Sequence, residues 1–465
     1  MKTLLEKLTI NNWEREILKE GLNFSLKLAQ AFLTLLDEEL AKKRNPQWKL
    51  IGKRKRTLFT LFGPLKVERR LFKDEQGRFR FLLDEKLGWK KGKCATSDFL
   101  TLVAQLSTGL PYRQVEEVLS LYVSSPSHAT IQKMVTSLGE EKAREEKEKR
   151  ERLYLNGELP EKRGKRSPEV LLMEADGVSI SLQREKEKKT EIKLVYSHEG
   201  WEKEGKGRYS LKGKKIYSGL APSSTFWQDF SLLLDEHYSL SGVKYFVISG
   251  DGAPWVKEGA EYFSPSIYQL DRFHLKRAIT KVLRGKGAQE VYSLLISHDL
   301  QGALNHLQKM QEEASKERKK EIEELTKYIL SNSSGLSDYR EKLPRELQGN
   351  LRPLGAAEGN IDKILANRFK KRGMSWSKRG ANSLAKVIAL RENGELDDCI
   401  SQKSRAESIP SSITKRVKER LRKEVRKSGK DIGTCMPALY GPHSGRPWVQ
   451  VLREITSLKI DPNLH

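Results

Sequence analysis

The sequence predicts a mixed α/β domain interrupted by an all-helical block and preceded by a helical region and a small β region. Three observations predict it. Buried-looking strands recur in 169–183 (EVLLMEADGVSISLQ, read as a strand, an acidic turn and a second strand), 244–253 (KYFVISGDGA) and 266–275 (SIYQLDRFHL), with an amphipathic helix, TFWQDFSLLLDEHY, at 225–238 among them. Strands and helices in this order build a mixed sheet. Residues 275–345 then read as almost wholly helical, as in KEIEELTKYIL at 320–330. The chain has 465 residues, enough for about three domains and a sizeable core.

The elements follow in order. Trp13, Ile17, Leu18, Leu22, Leu26, Leu28, Phe32, Leu35 and Leu36 recur at helical spacing, and Asn45-Pro46 ends that run. RTLFTLFGPLKVERRLF at 56–72 is rich in β-formers broken by Gly63-Pro64, which predicts a hairpin, and Phe79–Leu83 adds a candidate strand. From Thr96 three helical stretches follow: SDFLTLVAQLSTG, PYRQVEEVLSLY and SPSHATIQKMVTSL. Gly109 stops the first, Pro111 opens the second, and Ser127 is placed to cap the third. The trio fits either a helix-turn-helix, with its last helix at 128–137, or a plain structural subdomain. GEEKAREEKEKRER at 139–152 reads as a solvated helix, and PEKRGKRSP at 160–168 as a linker. The resulting regions are 1–50 (helical), 51–92 (small β), 93–138 (helix-turn-helix-like), 139–168 (charged helix and linker), 169–278 and 351–392 (two parts of the α/β domain), 279–350 (helical block) and 393–465 (basic C-terminal region).

Lys and Arg number 87 against 62 Asp and Glu, a formal net charge of +25. An excess this large points to a polyanion, most often nucleic acid, although merely solvated lysines give the same sum. Part of it lies in KRKR (Lys53, Arg54, Lys55 and Arg56), and part in residues 401–430, which hold 11 basic and 3 acidic side chains. No run approaches the ~20 apolar residues of a membrane span, and the N-terminus lacks the apolar core of a signal peptide. Cys94, Cys399 and Cys435 form no CxxC pair, against a disulfide scaffold or a sequence-local zinc site. The expectation is a cytoplasmic, nucleoid-associated protein with no membrane partner.

Two acids stand out by position. Asp176 follows VLLMEA and Asp251 follows KYFVISG, each at the end of a buried-looking run and each followed by Gly. Strand-end Asp-Gly is also an ordinary turn signal. A pair of them in one basic protein makes a metal site plausible, because phosphodiester chemistry calls for hard oxygen ligands for Mg²⁺ or Mn²⁺. Two ions about 4 Å apart serve the attacking and leaving oxygens. Glu358, in PLGAAEGNID, is the candidate third carboxylate. Glu174, two residues before Asp176, is a further possible ligand or a neighbouring polar group.

The ordered set ADGV, GDGA, LDRFH and GAAEGNIDKILANRFKKRGMSWSKRGA resembles bacterial insertion-sequence transposases of the ISLre family, within the Mutator-like group of DDE transposases. The resemblance covers nearly the whole chain and is strongest from Asp176 to Asn382. It implies an RNase H-like catalytic domain with a helical insertion between the second Asp and the Glu, and 107 positions separate Asp251 from Glu358. It implies Asp176, Asp251 and Glu358 as a catalytic triad holding Mg²⁺ or Mn²⁺ (two ions), with Asp271 and His274 matching the family's supporting motif. The implied partner is double-stranded DNA, at transposon ends and target, bound by a homodimer or higher oligomer. The implied reaction hydrolyses a phosphodiester at the element end and then joins the 3′-hydroxyl to target DNA.

Other candidates carry two readings each. His274 supports the site or packs the start of its helix. Lys276 and Arg277 contact phosphate or are simply exposed. Arg368, Lys370, Lys371 and Arg372 meet a DNA backbone or end a solvated helix. Trp376 stacks on an unpaired base or is a packing anchor beside the cap residue Ser377. Two alternatives to a transposase stay open: an RNase H-like nuclease without strand transfer, and a non-catalytic DNA-binding derivative.

Overall fold

The computed structural model describes residues 9, 11–160, 163–349, 351–355, 362–371, 373–403 and 410–434, and no side chain at 362, 403 or 424–434. These residues form two compact units. One gathers the described residues up to Phe99, Val118–Ser125 and those from Ile400; the other gathers Leu100–Glu117 and Pro126–Cys399.

In the first unit, helix α1 (Trp13–Lys42) precedes an antiparallel hairpin of β1 (Lys49–Thr60) and β2 (Gly63–Lys73). The turn falls at Leu61-Phe62, two residues earlier than Gly63-Pro64 suggested. The Thr60 hydroxyl closes it by donating to the Gly63 carbonyl at 2.8 Å, with Gly63 at φ +111°. Beyond it, β3 is only Phe79–Arg80, because Leu82–Lys86 turns into helix α2 instead of extending the strand. The core joins Leu33, Leu36 and Leu40 of α1 to Leu65 and Val67 of β2 and to Ile413 and Val417 of a helix at Ser411–Thr434. Arg420 of that helix binds Glu38 and Glu39 of α1.

Helices α3 (Ser97–Gly109), α4 (Tyr112–Ser120) and α5 (His128–Tyr154) follow. Ser127 does cap α5, its side chain accepting from the Thr130 N–H at 3.4 Å. One continuous helix runs from His128 through the charged stretch at 139–152, so the expected break near residue 138 falls inside it.

The second unit is built on a six-stranded mixed sheet. Its strands are β4 (Val170–Leu182), β5 (Lys189–His198), β8 (Lys215–Gly219), β9 (Tyr245–Gly250), β10 (Ser266–Leu270) and β11 (Ser375–Trp376); β6 (Trp201–Gly205) and β7 (Arg208–Leu211) form a separate ribbon. The order is β10-β9-β4-β5-β8, with β4, β9 and β10 parallel and β5 antiparallel to both its neighbours. The long β4 runs unbroken through Asp176-Gly177, where the sequence suggested a turn between two strands, because β5 stays paired with one edge of it from Leu172 to Ser181. Its other edge pairs with β9 only as far as Ala175 and with β11 only from Ser181. Residues 176–180 therefore have one sheet neighbour among those described.

Alternation along β4 feeds two cores, as the two-residue period of a strand requires. Leu171, Met173 and Ala175 meet Phe226, Trp227 and Phe230 of α6 (Ser223–His237) and Trp255 and Val256 of α7 (Pro254–Glu258). Val170 and Leu172 meet Val247, Ile267, Tyr339, Leu343 and Leu354 on the other face. Helices α8 (Arg272–Leu283), α9 (Gly285–Ile296), α10 (Leu300–Glu312) and α11 (Lys316–Ser331) then form the block the periodicity predicts, around a core of Ile279, Val291, Leu307 and Ile329. Helix α12 (Lys378–Glu392) is almost wholly buried and lies close against α5: a Cβ on Gly139 would stand 2.2 Å from the Ser383 carbonyl oxygen. Buried Lys386 of α12 pairs with Glu146 of α5 at 2.8 Å.

Candidate active site

Parallel pairing of β4 with β9 ends at Ala175 opposite Gly250. Asp176, within β4, and Asp251, just past β9, are the next residues, near enough for the charge of Asp251 to act on Asp176. Each Asp turns one oxygen to local backbone: Asp176 Oδ1 accepts from the Gly177 N–H at 2.6 Å, and Asp251 Oδ1 from the Ala253 N–H at 2.9 Å. The adjoining parallel strand adds a third acid. Asp271 follows β10, donates its own N–H to the Gly250 carbonyl at 2.8 Å, and caps α8 by accepting from the Phe273 N–H at 2.9 Å.

His274, one turn into α8, bridges these acids. Its Nδ1 lies 3.0 Å from Asp271 Oδ2 and its Nε2 3.9 Å from Asp176 Oδ2. Asp271 is buried and so fixes the ring. The hydrogen bond to Asp271 pushes the imidazole up from its ordinary value, Asp176 and Asp251 adding to the effect against burial. Burial also pushes the Asp176 carboxyl up, and the negative charges of Asp251 and Asp271 add to that against the Gly177 N–H and His274.

Three participants were not legible in the sequence. Glu191 of β5 packs its carboxylate where Gly177 has no side chain; a Cβ on Gly177 would stand 2.2 Å from Glu191 Oε1. Its carboxyl is pushed up by burial, then by Asp251 and Asp176, while Lys193 opposes. The Tyr328 hydroxyl of α11 donates to the Asp251 carbonyl at 2.8 Å. Asn332, which is buried, donates to the Tyr328 carbonyl at 2.8 Å and packs on Gly252, whose φ of +94° suits glycine. Only a strand register and a contact spanning 77 positions bring these groups in, and neither leaves a local signal.

Asp176, Asp251, Asp271 and His274 are thus gathered in one place. Glu358 and Arg372 lie outside the described residues. Among the described residues, no group of three or more His, Cys, Asp or Glu stands in position to hold a metal ion. The donor chemistry nonetheless fits a hard divalent cation: two carboxylates stand where the β4–β9 pairing stops, and a cation would favour the ionised form of desolvated Asp176.

The basic candidates separate. Lys53, Arg54 and Lys55 are exposed on β1, and Lys276, Arg277, Lys370 and Lys371 are exposed too. Arg56 turns inward, giving its guanidinium to Asp84 at 2.8 Å and to the carbonyls of Trp89, Lys90 and Lys93. Arg368 is 2% exposed, donates to the Ser107 carbonyl at 2.7 Å and lies over the rings of Tyr112 and Trp376. Trp376 is buried, its indole N–H donating to the Phe369 carbonyl at 3.1 Å. These three side chains are committed to the interior, which removes them as surface contacts to DNA and makes Trp376 the packing anchor of its two readings.

Fold and site define a mixed α/β chain with a cluster of acids at one end of its sheet. The chain belongs to the uncharacterised protein family UPF0236, whose model matches residues 4–405. A UPF0236 protein of Caldanaerobacter subterraneus subsp. tengcongensis is 30% identical over 76% of this chain and 72% of its own. Another from that organism, whose name carries eleven locus designations, is 28% identical over 82% and 80%. One from Streptococcus gallolyticus is 27% identical over 80% of each. Among solved structures, the Drosophila P element transposase strand transfer complex is similar at a TM-score of 0.23 and 11% identity, over 70% of this chain and 91% of that one. A likeness that loose carries no assignment. Among the described residues no helix is long and apolar enough to cross a membrane.

Proposed function

We propose that this protein is a DDE-type DNA transposase with an RNase H-like catalytic domain, in which Asp176, Asp251 and Glu358 hold Mg²⁺ or Mn²⁺. The observation that carries the reading is the placement of Asp176 and Asp251 where the pairing of two adjacent parallel strands stops, with Asp271 and His274 beside them. The strand order with β5 alone reversed in the main sheet supports an RNase H-like fold, and the α8–α11 block after Asp251 supports a helical insertion in it. A relative named for eleven loci of one organism is what a self-copying sequence leaves behind.

Divalent metal, when bound, supplies Lewis-acid stabilisation to the phosphoryl oxygens. The chain's own groups do the rest. Asp176 and Asp251 would hold the cation, and His274, its Nδ1 held by Asp271, keeps Nε2 turned toward Asp176. In the first step a water oxygen bonds to phosphorus and the 3′-oxygen leaves, taking a proton to become a hydroxyl. In the second step that 3′-hydroxyl oxygen bonds to a target phosphorus, loses its proton, and displaces the target's 3′-oxygen. No enzyme side chain is esterified. Exposed Lys53, Arg54, Lys55 and Lys371 serve the DNA backbone, and two ends call for at least a dimer.

The test incubates purified protein with Mg²⁺ or Mn²⁺, a labelled duplex from the DNA flanking its coding region, and a plasmid target. Nicks and joined products are expected, falling about a thousandfold or more in Asp176→Ala and Asp251→Ala. Nicking without joining supports a nuclease instead; binding without nicking, or unchanged activity in both variants, overturns the catalytic reading.

A further inference from the structure

The face of β4 that bears Asp176 also bears Glu174, which is 1% exposed. A carboxylate buried this far is costly unless its oxygens are hydrogen-bonded. Glu174 Oε2 accepts from the backbone N–H of Gly355 at 3.1 Å, across 181 positions of sequence. On the other side stands His198 of β5, wholly buried, with Nε2 3.6 Å from Glu174 Oε1. His198 Nδ1 lies 3.2 Å from both the N–H and the carbonyl oxygen of Gly200; with the N–H donated to it, the ring proton stands on Nε2, turned toward the carboxylate, and with Nδ1 donating to the carbonyl, Nε2 is bare. Neither Glu174 Oε1 nor His198 Nε2 makes a full hydrogen bond among the described residues.

The stretch at 351–355 is laid across this same face. Leu354 packs into the cluster of Val170, Leu172 and Tyr339, and the Tyr339 hydroxyl donates to the Arg352 carbonyl at 2.7 Å. Gly355 then takes φ +143°, a conformation that favours glycine, while Glu174 holds its N–H. Gly355 is three residues ahead of Glu358. An apolar pair would cover the face at lower desolvation cost. What a carboxylate adds is a fixed acceptor for one backbone N–H at one place.

We infer that Glu174, backed by His198, is a positioning residue: it clamps Gly355, three residues ahead of Glu358, without itself binding metal. The inference rests on the proposed role of Glu358. Two conservative variants of the full-length protein separate it from its rivals. Glu174→Gln keeps an acceptor at full reach and loses the charge; Glu174→Asp keeps the charge and withdraws the acceptor. The readouts are amide hydrogen exchange of peptides covering 351–355 in metal-free protein, the Mn²⁺ dissociation constant, and nicking at limiting and saturating Mn²⁺.

The clamp predicts exchange at 351–355 about tenfold faster and Mn²⁺ binding about tenfold weaker in Glu174→Asp, with nicking partly recovered at saturating Mn²⁺. Glu174→Gln stays within about threefold of the parent on all readouts. The reverse order, Gln impaired and Asp normal, overturns the inference and makes the charge itself the requirement. Faster exchange in Asp with unaltered Mn²⁺ affinity also overturns it, leaving a merely structural pair. If the parent protein neither binds Mn²⁺ nor nicks DNA, the transposase reading fails, and the exchange pattern still decides whether Glu174 holds Gly355.

Discussion

The surroundings of Asp176 disfavour its ionised form. Burial and the charges of Asp251 and Asp271 raise its carboxyl above the ordinary value. A carboxyl raised on folding favours the fold while protonated, and that contribution is lost as pH climbs through the raised value. Asp176→Asn is therefore expected to raise the thermal midpoint of metal-free protein at pH 7. The gain should fade as pH falls toward about 3, where the carboxyl is protonated folded or unfolded. Calorimetry of both proteins across that range checks it, and a lower midpoint for the variant at pH 7 would contradict the electrostatic account. At this scale the sequence was informative at Asp251, where β9 ends just ahead of Asp-Gly; at Asp176 it suggested a turn, whereas β4 runs on through Asp176-Gly177 and only its pairing with β9 stops there. It was silent on Glu191, which reaches the site only through the pairing of Ser179 with Glu191 and Gly177 with Lys193. It misled at Arg368 and Arg56, because a basic residue in a basic run looks the same whether its guanidinium faces water or caps buried carbonyls.

Helix α11 shows how an element remote in sequence governs the site. The four helices of its block share a core of their own, yet Tyr328 near the end of α11 donates to the Asp251 carbonyl and Asn332 packs on Gly252. Burial pushes the Tyr328 hydroxyl up, so it remains a donor across the working pH range. Tyr328→Phe keeps the ring and removes that one bond. The expected result is about 1 kcal/mol less stability and about tenfold slower nicking as the Asp251 turn loosens, with end-DNA affinity unchanged. Denaturant unfolding, nicking rates and a binding titration measure the three; unaltered nicking would mean the helical block does not hold Asp251. The block itself was legible, since apolar residues at helical spacing announce it. Its grip on Asp251 was not, and neither was the continuity of α5 past residue 138, where the apolar stripe of one helix gives way to charge and reads as a second helix.

Over the whole molecule the +25 charge divides by where each side chain points. Lys53, Arg54 and Lys55 stand exposed on β1, whereas the next residue, Arg56, binds Asp84 and three loop carbonyls. Only the exposed group can release counterions from DNA. On B-DNA each neutralised phosphate contributes about 0.9 to the slope of log affinity against log salt. Replacing Lys53, Arg54 and Lys55 together with alanine should lower that slope by about 0.9 for every phosphate left without its cation, and keep the unfolding free energy within about 0.5 kcal/mol. Arg368→Met should do the opposite. Its guanidinium is buried over Tyr112 and Trp376, so the slope should hold while stability falls by about 2–4 kcal/mol. Binding titrations from low to moderate salt, paired with denaturant unfolding, measure both arms. A salt slope untouched by the triple change would overturn the proposed role of β1 in DNA binding and favour other exposed cations, such as Lys415 and Lys418 of the Ser411–Thr434 helix.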